Sequence, residues 1–139
     1  MKLYLAAAWS RKDEISAVAG DLVRSNDQIE ITSRWLQEPV DLRPGQTRSQ
    51  FRQERAQHDI EDVAAADILV RFTDDLTYEK VPARLATGAR MFEMGYAYAL
   101  GKEIVVVGGV QPIFDYLPSI VHVSNVDALK RYLFEKGIS

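Results

Sequence analysis

The chain has 139 residues, is 47% hydrophobic, and carries a formal net charge of −3. That length fits a single domain spanning residues 1–139, which can bury a core without disulfides or metals. The absence of cysteine excludes disulfide bonds, thiolate metal sites and a thiol nucleophile. The acidic balance argues against binding to a nucleic-acid polymer, and no apolar run approaches the roughly 20 residues of a membrane span. We therefore expect a soluble, cytoplasmic protein without a signal peptide.

Apolar segments alternate with segments of helical periodicity along the chain. The predicted strands cover residues 2–8, 29–35, 68–72, 104–107 and 121–123. The predicted helices lie after residue 10, over 49–66, over 88–100 and after residue 125. Ser10 and Asp13 predict a capping box, Gly101 a helix stop, and Asn125 a cap on the last helix. This alternation predicts an α/β three-layer sandwich with a five-stranded, mostly parallel sheet, which binds ligands beyond the carboxyl ends of its strands.

The third predicted helix contains an unusual glutamate. Glu93 lies between two apolar residues and is followed by Gly95, which costs about 1 kcal/mol relative to alanine inside a helix. A packing or ligand contact at Gly95 would explain that cost. Arg90, one turn earlier, is a further candidate for substrate binding. The alternative is an exposed glutamate that pairs with Arg90 at i,i+3.

A second candidate acid lies in the preceding helix. Asp59 and Asp62 share one helical face, whereas Glu61 points elsewhere. The alternative interpretation is an acidic face exposed to solvent. The run of Arg48, Arg52 and Arg55 on the same helix is also typical of a solvated face, although it might contact an anion.

The end of the first predicted strand offers a binding surface. Small residues there, Ala7 among them, allow a ligand close to the backbone, and Trp9 and Trp35 provide flat faces for stacking. Each tryptophan is equally consistent with ordinary packing. Neither the dinucleotide fingerprint nor the phosphate-binding loop motif occurs, and the two histidines lack zinc-site spacing. No cofactor and no metal are expected.

Taken together, three segments resemble the nucleoside 2-deoxyribosyltransferase family, which includes the 2'-deoxynucleoside 5'-phosphate N-hydrolases. They are YLAAAW at 4–9, DIEDVAAADILV at 59–70 and GARMFEMGYAYALGK at 88–102. The resemblance covers most of the chain and implies a flavodoxin-like fold. It also implies a 2'-deoxynucleoside and a free nucleobase as small-molecule partners, and a homodimer or larger homo-oligomer with shared active sites.

The resemblance assigns roles to individual residues. Glu93 matches the nucleophile that attacks the anomeric carbon, Asp59 the acid/base that protonates the departing base, and Tyr4 the tyrosine beside the nucleophile. Trp9 matches a wall of the base pocket, and Thr87 matches a position that holds the 5' end of the sugar.

The family also takes a residue for the sugar's 5' end from a neighbouring subunit. By position this residue is Asp115, with Ser119 as the alternative.

A carboxylate near C1' stabilises an oxocarbenium-like transition state and can form a covalent glycosyl ester, as in retaining glycosidases. Attack on this ester by a second base makes the enzyme a transferase, and attack by water makes it a hydrolase. Trp9 and an acid at position 115 favour a transferase on free nucleosides, whereas Thr87 favours a monophosphate N-hydrolase. A non-catalytic nucleotide-binding module and a flavodoxin-like interaction domain are the alternatives of another class.

Overall fold

The computed structural model describes residues 1–39, 41–73, 88–109 and 113–138. Its strands are β1 (Lys2–Ala6), β2 (Glu30–Ile31), β3 (Ile68–Phe72), β4 (Glu103–Val107) and β5 (Val121–Val123). Its α-helices are α1 (Lys12–Ser25), α2 (Arg48–Ala65), α3 (Gly88–Ala99) and α4 (Val126–Ile138). Short 3-10 turns cover Trp9–Arg11, Arg34–Leu36 and Ile113–Tyr116.

The five strands form one sheet in the order β2-β1-β3-β4-β5, and every described pairing is parallel. The predicted α/β fold is thus confirmed. α2 packs against α3, and Lys130 of α4 pairs with Asp21 of α1. Right-handed crossovers place α1 on one face of the sheet and α2 and α3 on the other, and the pairing of Lys130 with Asp21 places α4 beside α1. The strand order reverses between β1 and β3, which is where ligands bind in such sheets.

The apolar sequences of the central strands follow from their burial. β3 is buried along its whole length and β4 nearly so, because helices cover both faces of a parallel sheet. Arg71 is the exception within β3: it is 3% exposed and forms a bidentate ion pair with Asp115. That pair ties the middle of the sheet to the turn Ile113–Tyr116.

Two local predictions are wrong. The second strand contains only Glu30–Ile31 rather than 29–35, since Trp35 lies in a 3-10 turn with its indole Nε1 donating to the Leu5 carbonyl at 2.8 Å. Ser10 does not cap α1, because the 3-10 turn over 9–11 moves the helix start to Lys12. Arg11 there binds Glu14 instead.

Other helix ends follow the expected chemistry. Asn125 accepts a hydrogen bond from the Ala128 amide at 2.8 Å. Gly101 follows α3 with a φ of 73°, a left-handed conformation that glycine adopts without strain. α2 starts with a capping box between Thr47 and Gln50, which the sequence analysis did not predict. In the described part of the chain, no helix is both long and apolar enough to cross a bilayer.

Candidate active site

A hydrogen bond between β1 and α3 forms the centre of the candidate site. Tyr4 is fully buried in β1, and its hydroxyl donates to Oε2 of Glu93 in the second turn of α3. β1 is paired along both edges, so the position of the tyrosine is set by the sheet. Glu93 is half-buried rather than exposed to solvent. Arg90, one turn earlier, is buried and donates to the Phe72 carbonyl at 3.2 Å.

α2 contributes the second carboxyl. Asp59 is half-buried, and its Oδ1 atom is buried with no hydrogen-bond partner in the described ranges. Asp62, one turn later, is occupied: its oxygens accept from the Arg34 amide at 2.9 Å and from Arg34 Nε at 2.8 Å. Asp59 and Asp62 therefore have different roles. Asp62 holds the turn after β2, while Asp59 keeps an unfilled acceptor of the kind that a ligand satisfies.

The two carboxyls favour protonation more than isolated carboxyls do. Burial raises the pKa of Glu93 to about 7, with the charge of Asp59 acting in the same direction and the hydrogen bond from Tyr4 opposing it. Burial, followed by the charge of Asp62, raises the pKa of Asp59 to about 6. Burial and the charge of Glu93 raise the pKa of the Tyr4 hydroxyl, which therefore remains a donor. Near neutral pH the pair holds about one proton between two carboxyls.

A cavity of about 600 Å³ opens in front of these groups. Trp9 and Trp35 form one wall, with ring centroids 5.9 Å apart and planes inclined by 39°. Trp35 is buried, whereas Trp9 is half-exposed under the ammonium of Lys12. The cavity is lined by residues from β1 and the turns beside it, from α2 and from the start of α3: Tyr4, Ala7, Ala8, Trp9, Trp35, Phe51, Arg52, Arg55, Asp59, Ala89, Arg90 and Glu93.

The face of α2 in this cavity includes three residues that the sequence analysis did not assign to the site: Phe51, Arg52 and Arg55. Phe51 and Arg55 precede Asp59 at four-residue spacing, and Arg52 lies beside them. The spacing was visible in the sequence, but it does not distinguish a helix face turned to solvent from one turned to a cleft. The interpretation as a solvated face is corrected for Arg55, which pairs with Glu38 and lies over the Phe51 ring. Arg52, in contrast, lines the cavity and is also exposed.

Of the three residues predicted to hold the 5' end of the sugar, the structure describes Asp115 and Ser119. Asp115 is fully buried, and both of its oxygens accept from Arg71, at 2.7 Å and 2.5 Å. A carboxylate held in this way inside its own subunit is incompatible with the predicted contact to a neighbour's substrate. Ser119 is exposed, and its predicted role stays a prediction. Thr87 lies outside the described residues.

Two further expectations concern packing and metals. An added Cβ at Gly95 meets nothing within 4 Å among the described residues, so the predicted close contact at this glycine is not found there. Across 1–39, 41–73, 88–109 and 113–138, no group of three or more metal-ligating side chains is arranged to hold an ion.

No protein-family model and no curated protein matches the sequence. Solved structures do match. A 2-deoxyribosyltransferase from Bacillus psychrosaccharolyticus is 18% identical with a TM-score of 0.67, covering 98% of this chain and 95% of its own. A CMP N-glycosidase from Clostridium botulinum is 15% identical with a TM-score of 0.57, covering 97% and 99%.

A third structure, described as a conserved protein from Enterococcus faecalis V583, is 16% identical with a TM-score of 0.71 over 98% of both chains. All three likenesses extend over nearly the whole length of both partners. The chain therefore has the fold of the nucleoside 2-deoxyribosyltransferase and N-glycosidase structures.

Proposed function

We propose that this protein is an enzyme that cleaves the N-glycosidic bond of a 2'-deoxynucleoside and transfers the deoxyribosyl group to another base. The observation that carries the proposal is the cluster of Tyr4, Asp59 and Glu93. It combines two half-buried carboxyls of raised pKa with a tyrosine hydroxyl bound to one of them, at the inner end of an aromatic-walled cavity. Two carboxyls in one pocket with one proton between them suit glycosidic chemistry.

The proposed reaction uses that single proton. Ionised Glu93 attacks C1', and the electron pair of the C1'–N bond leaves with the base, which takes a proton from Asp59. The products are a free base and a deoxyribosyl ester of Glu93. An acceptor base then attacks C1', returning its proton to Asp59 and releasing the Glu93 carboxylate. The pKa of Glu93 is the higher of the two, so the form with Glu93 ionised and Asp59 protonated is the minor of the two singly protonated forms. The hydrogen bond from Tyr4 favours the charge on Glu93 and so increases the share of this reactive form.

The structural neighbours support the same class of chemistry. One is a 2-deoxyribosyltransferase and another is a CMP N-glycosidase. The residues that the family resemblance assigns to catalysis, Glu93 and Asp59, are also the two acids that line the cavity. The family resemblance and the geometry of the described cavity thus both support this pair.

A second candidate is N-hydrolysis of a 2'-deoxynucleoside 5'-monophosphate. The buried ion pair of Asp115 with Arg71 removes one argument for free nucleosides, because this acid is not placed to repel a phosphate. One structural neighbour is an N-glycosidase named for a monophosphate, CMP. In this variant of the reaction, water rather than a base attacks the Glu93 ester.

We further propose that the active unit is a homo-oligomer, as the family resemblance implies. Large apolar side chains are exposed on α3 and on the turn Ile113–Tyr116: Phe92 is 64% exposed, Ile113 77% and Tyr116 74%. Large exposed apolar side chains of this kind are groups that a subunit interface covers.

One chromatographic assay tests the function. The protein is incubated with 2'-deoxyinosine and adenine, and in parallel with each deoxynucleoside monophosphate alone. New deoxyadenosine supports the transferase, and base release from monophosphates alone supports the N-hydrolase. Glu93→Ala should reduce either activity by at least 1,000-fold, whereas Glu135→Ala, at an exposed glutamate of α4, should retain it. If wild type binds these ligands without turnover, the protein is a binding module and the catalytic role of Glu93 is refuted.

The pH dependence of this activity is a second test. The reactive pair carries one proton, so kcat/KM should be highest between about pH 6 and 7. Below that range both carboxyls become protonated and the nucleophile is lost. Above it both are ionised and the proton for the leaving base is lost. A rate that keeps rising from pH 6 to pH 9 would contradict a shared proton.

A further inference from the structure

The outer part of the cavity is formed by one face of α2. Asp59 lies at its inner end, Arg55 one turn before it, and Arg52 a further three residues before that. At a rise of 1.5 Å per residue, Arg55 is displaced by about 6 Å and Arg52 by about 10 Å from Asp59 along the helix axis. In the proposed function, on which this inference rests, Asp59 protonates the base. A base that extends from Asp59 along α2 meets these arginines.

The two arginines are not equivalent. Arg55 is engaged: it pairs with Glu38, donates to the Pro39 carbonyl at 2.8 Å and lies over the Phe51 ring at 4.6 Å. Arg52 is exposed and makes no hydrogen bond or ion pair with any residue of the described part of the chain. Among the described residues that line the cavity, its guanidinium is therefore a cation whose donors are available to a ligand.

A guanidinium has only donors, so it discriminates among bases by their acceptors. A 6-oxopurine offers two acceptors along one edge, O6 and N7, which arginine contacts in a bidentate manner. A 6-aminopurine replaces the oxygen with a donor. The same contrast separates uracil and thymine, which have a carbonyl at C4, from cytosine, which has an amino group there.

The Trp9 and Trp35 faces do not make this distinction. Stacking depends on the ring face rather than on its hydrogen-bonding edge. The Trp35 indole is already bound to the Leu5 carbonyl at 2.8 Å and has no donor left for a ligand. Among the described side chains that line the cavity, Arg52 is thus the cationic donor available to the edge of the base.

We propose that Arg52 is a specificity-determining residue that selects keto bases, above all 6-oxopurines, over amino bases. It binds the O6 and N7 edge of the purine, or the C4 carbonyl of a pyrimidine, while the two tryptophans hold the ring. Arg55 is the positioning residue that keeps this face of α2 in place through Glu38.

The test is a titration of the free bases hypoxanthine and adenine into wild type, Arg52→Ala and Arg48→Ala. Arg48 lies on the same helix, is exposed and does not line the cavity, so it is a matched control for loss of one positive charge. Wild type should bind hypoxanthine about tenfold more tightly than adenine. The ratio should fall to about one in Arg52→Ala, through weaker binding of hypoxanthine alone, and should persist in Arg48→Ala.

Turnover gives the second readout. The ratio of kcat/KM for deoxyinosine over deoxyadenosine, and for deoxyuridine over deoxycytidine, should fall in Arg52→Ala by about the same factor. A ratio unchanged by Arg52→Ala overturns the proposal, as does the absence of binding by any base. A loss confined to 5'-monophosphates also overturns it, because the arginine then contacts phosphate. Selective base binding without glycosidic cleavage would refute the proposed function and leave this inference standing.

Discussion

At the scale of single residues, the Tyr4 hydroxyl organises the candidate site. It binds Glu93 directly and also lowers the pKa of Asp59, so one buried donor acts on both acids. Burial nevertheless outweighs it, and both carboxyls keep raised pKa values. The two carboxyls therefore lower the stability of the folded protein at neutral pH, and such a loss of stability is common at catalytic sites.

This cost predicts a pH-dependent gain in stability for Glu93→Gln. The folded-state pKa of Glu93 is raised from 4.5 to about 7, so its protonated form supports the fold below about pH 4.5, and this support is lost as the pH rises through 7. At pH 8 the Glu93→Gln substitution should stabilise the fold by about 1 kcal/mol, allowing for solvent screening. This gain corresponds to a rise of about 3 °C in Tm. At pH 4 the gain should vanish.

Thermal unfolding of wild type, Glu93→Gln and the exposed-site control Glu135→Gln at both pH values checks this. The control should show no such pH-dependent difference. A lower Tm for Glu93→Gln at pH 8 would contradict a desolvated Glu93.

At the scale of secondary-structure elements, the start of α2 matters because this helix carries Asp59 and the arginine face. Its capping box joins the Thr47 hydroxyl to the Gln50 amide at 3.1 Å and the Gln50 side chain to the Thr47 amide at 2.9 Å. α1 has no comparable side-chain cap. Thr47→Ala should destabilise the protein by about 1 kcal/mol, whereas Ser10→Ala should have no measurable effect in urea unfolding. Equal losses would show that both helices rely on a side-chain cap.

The ion pair between β3 and the turn Ile113–Tyr116 supports a second prediction at this scale. Arg71 and Asp115 are 4% and 0% exposed, so removing one partner strands a buried charge. Asp115→Ala should cost about 3–5 kcal/mol of unfolding free energy. The double variant Arg71→Met/Asp115→Leu should be much closer to wild type. A denaturant-based double-mutant cycle measures this, and additive losses would contradict the pairing.

At the scale of the whole molecule, the sheet order brings the candidate site together. β1 and β3 are neighbours although α1, β2 and α2 separate them in sequence, and α2 and α3 pack on one face. Tyr4, Asp59 and Glu93, from three different elements, therefore meet at one cavity. In the proposed oligomer, a second subunit covers the exposed apolar side chains of Phe92, Ile113 and Tyr116.

The proposed oligomer predicts that sedimentation velocity will show a dimer or larger species. Phe92→Asp combined with Tyr116→Asp should dissociate it, since each places a charge on a large exposed apolar position. Loss of activity on dissociation, with the far-ultraviolet circular dichroism unchanged, would agree with a shared active site. A fully active monomer would contradict it.

The order and type of the elements could be predicted from sequence alone, because hydrophobic periodicity is a local property. The alternation of strands and helices indicated a parallel sheet, and the segments at 4–9, 59–70 and 88–102 carried the resemblance to a family. The ends of the helices and strands were harder to predict from the sequence. The 3-10 turn over 9–11 displaced the predicted cap at Ser10, and Trp35 left the strand to bind the Leu5 carbonyl.

Only the tertiary structure decided which helix faces meet the cavity and which charges are buried. Arg52 and Asp115 show why. The spacing of Arg52 is equally compatible with solvent, and it joins the cavity mouth because α2 packs beside β1 and α3. Asp115 follows β4 in a loop and looks available to a ligand, yet Arg71, 44 residues earlier, binds both of its oxygens. Burial and long-range pairing depend on contacts between distant residues, which local patterns do not encode.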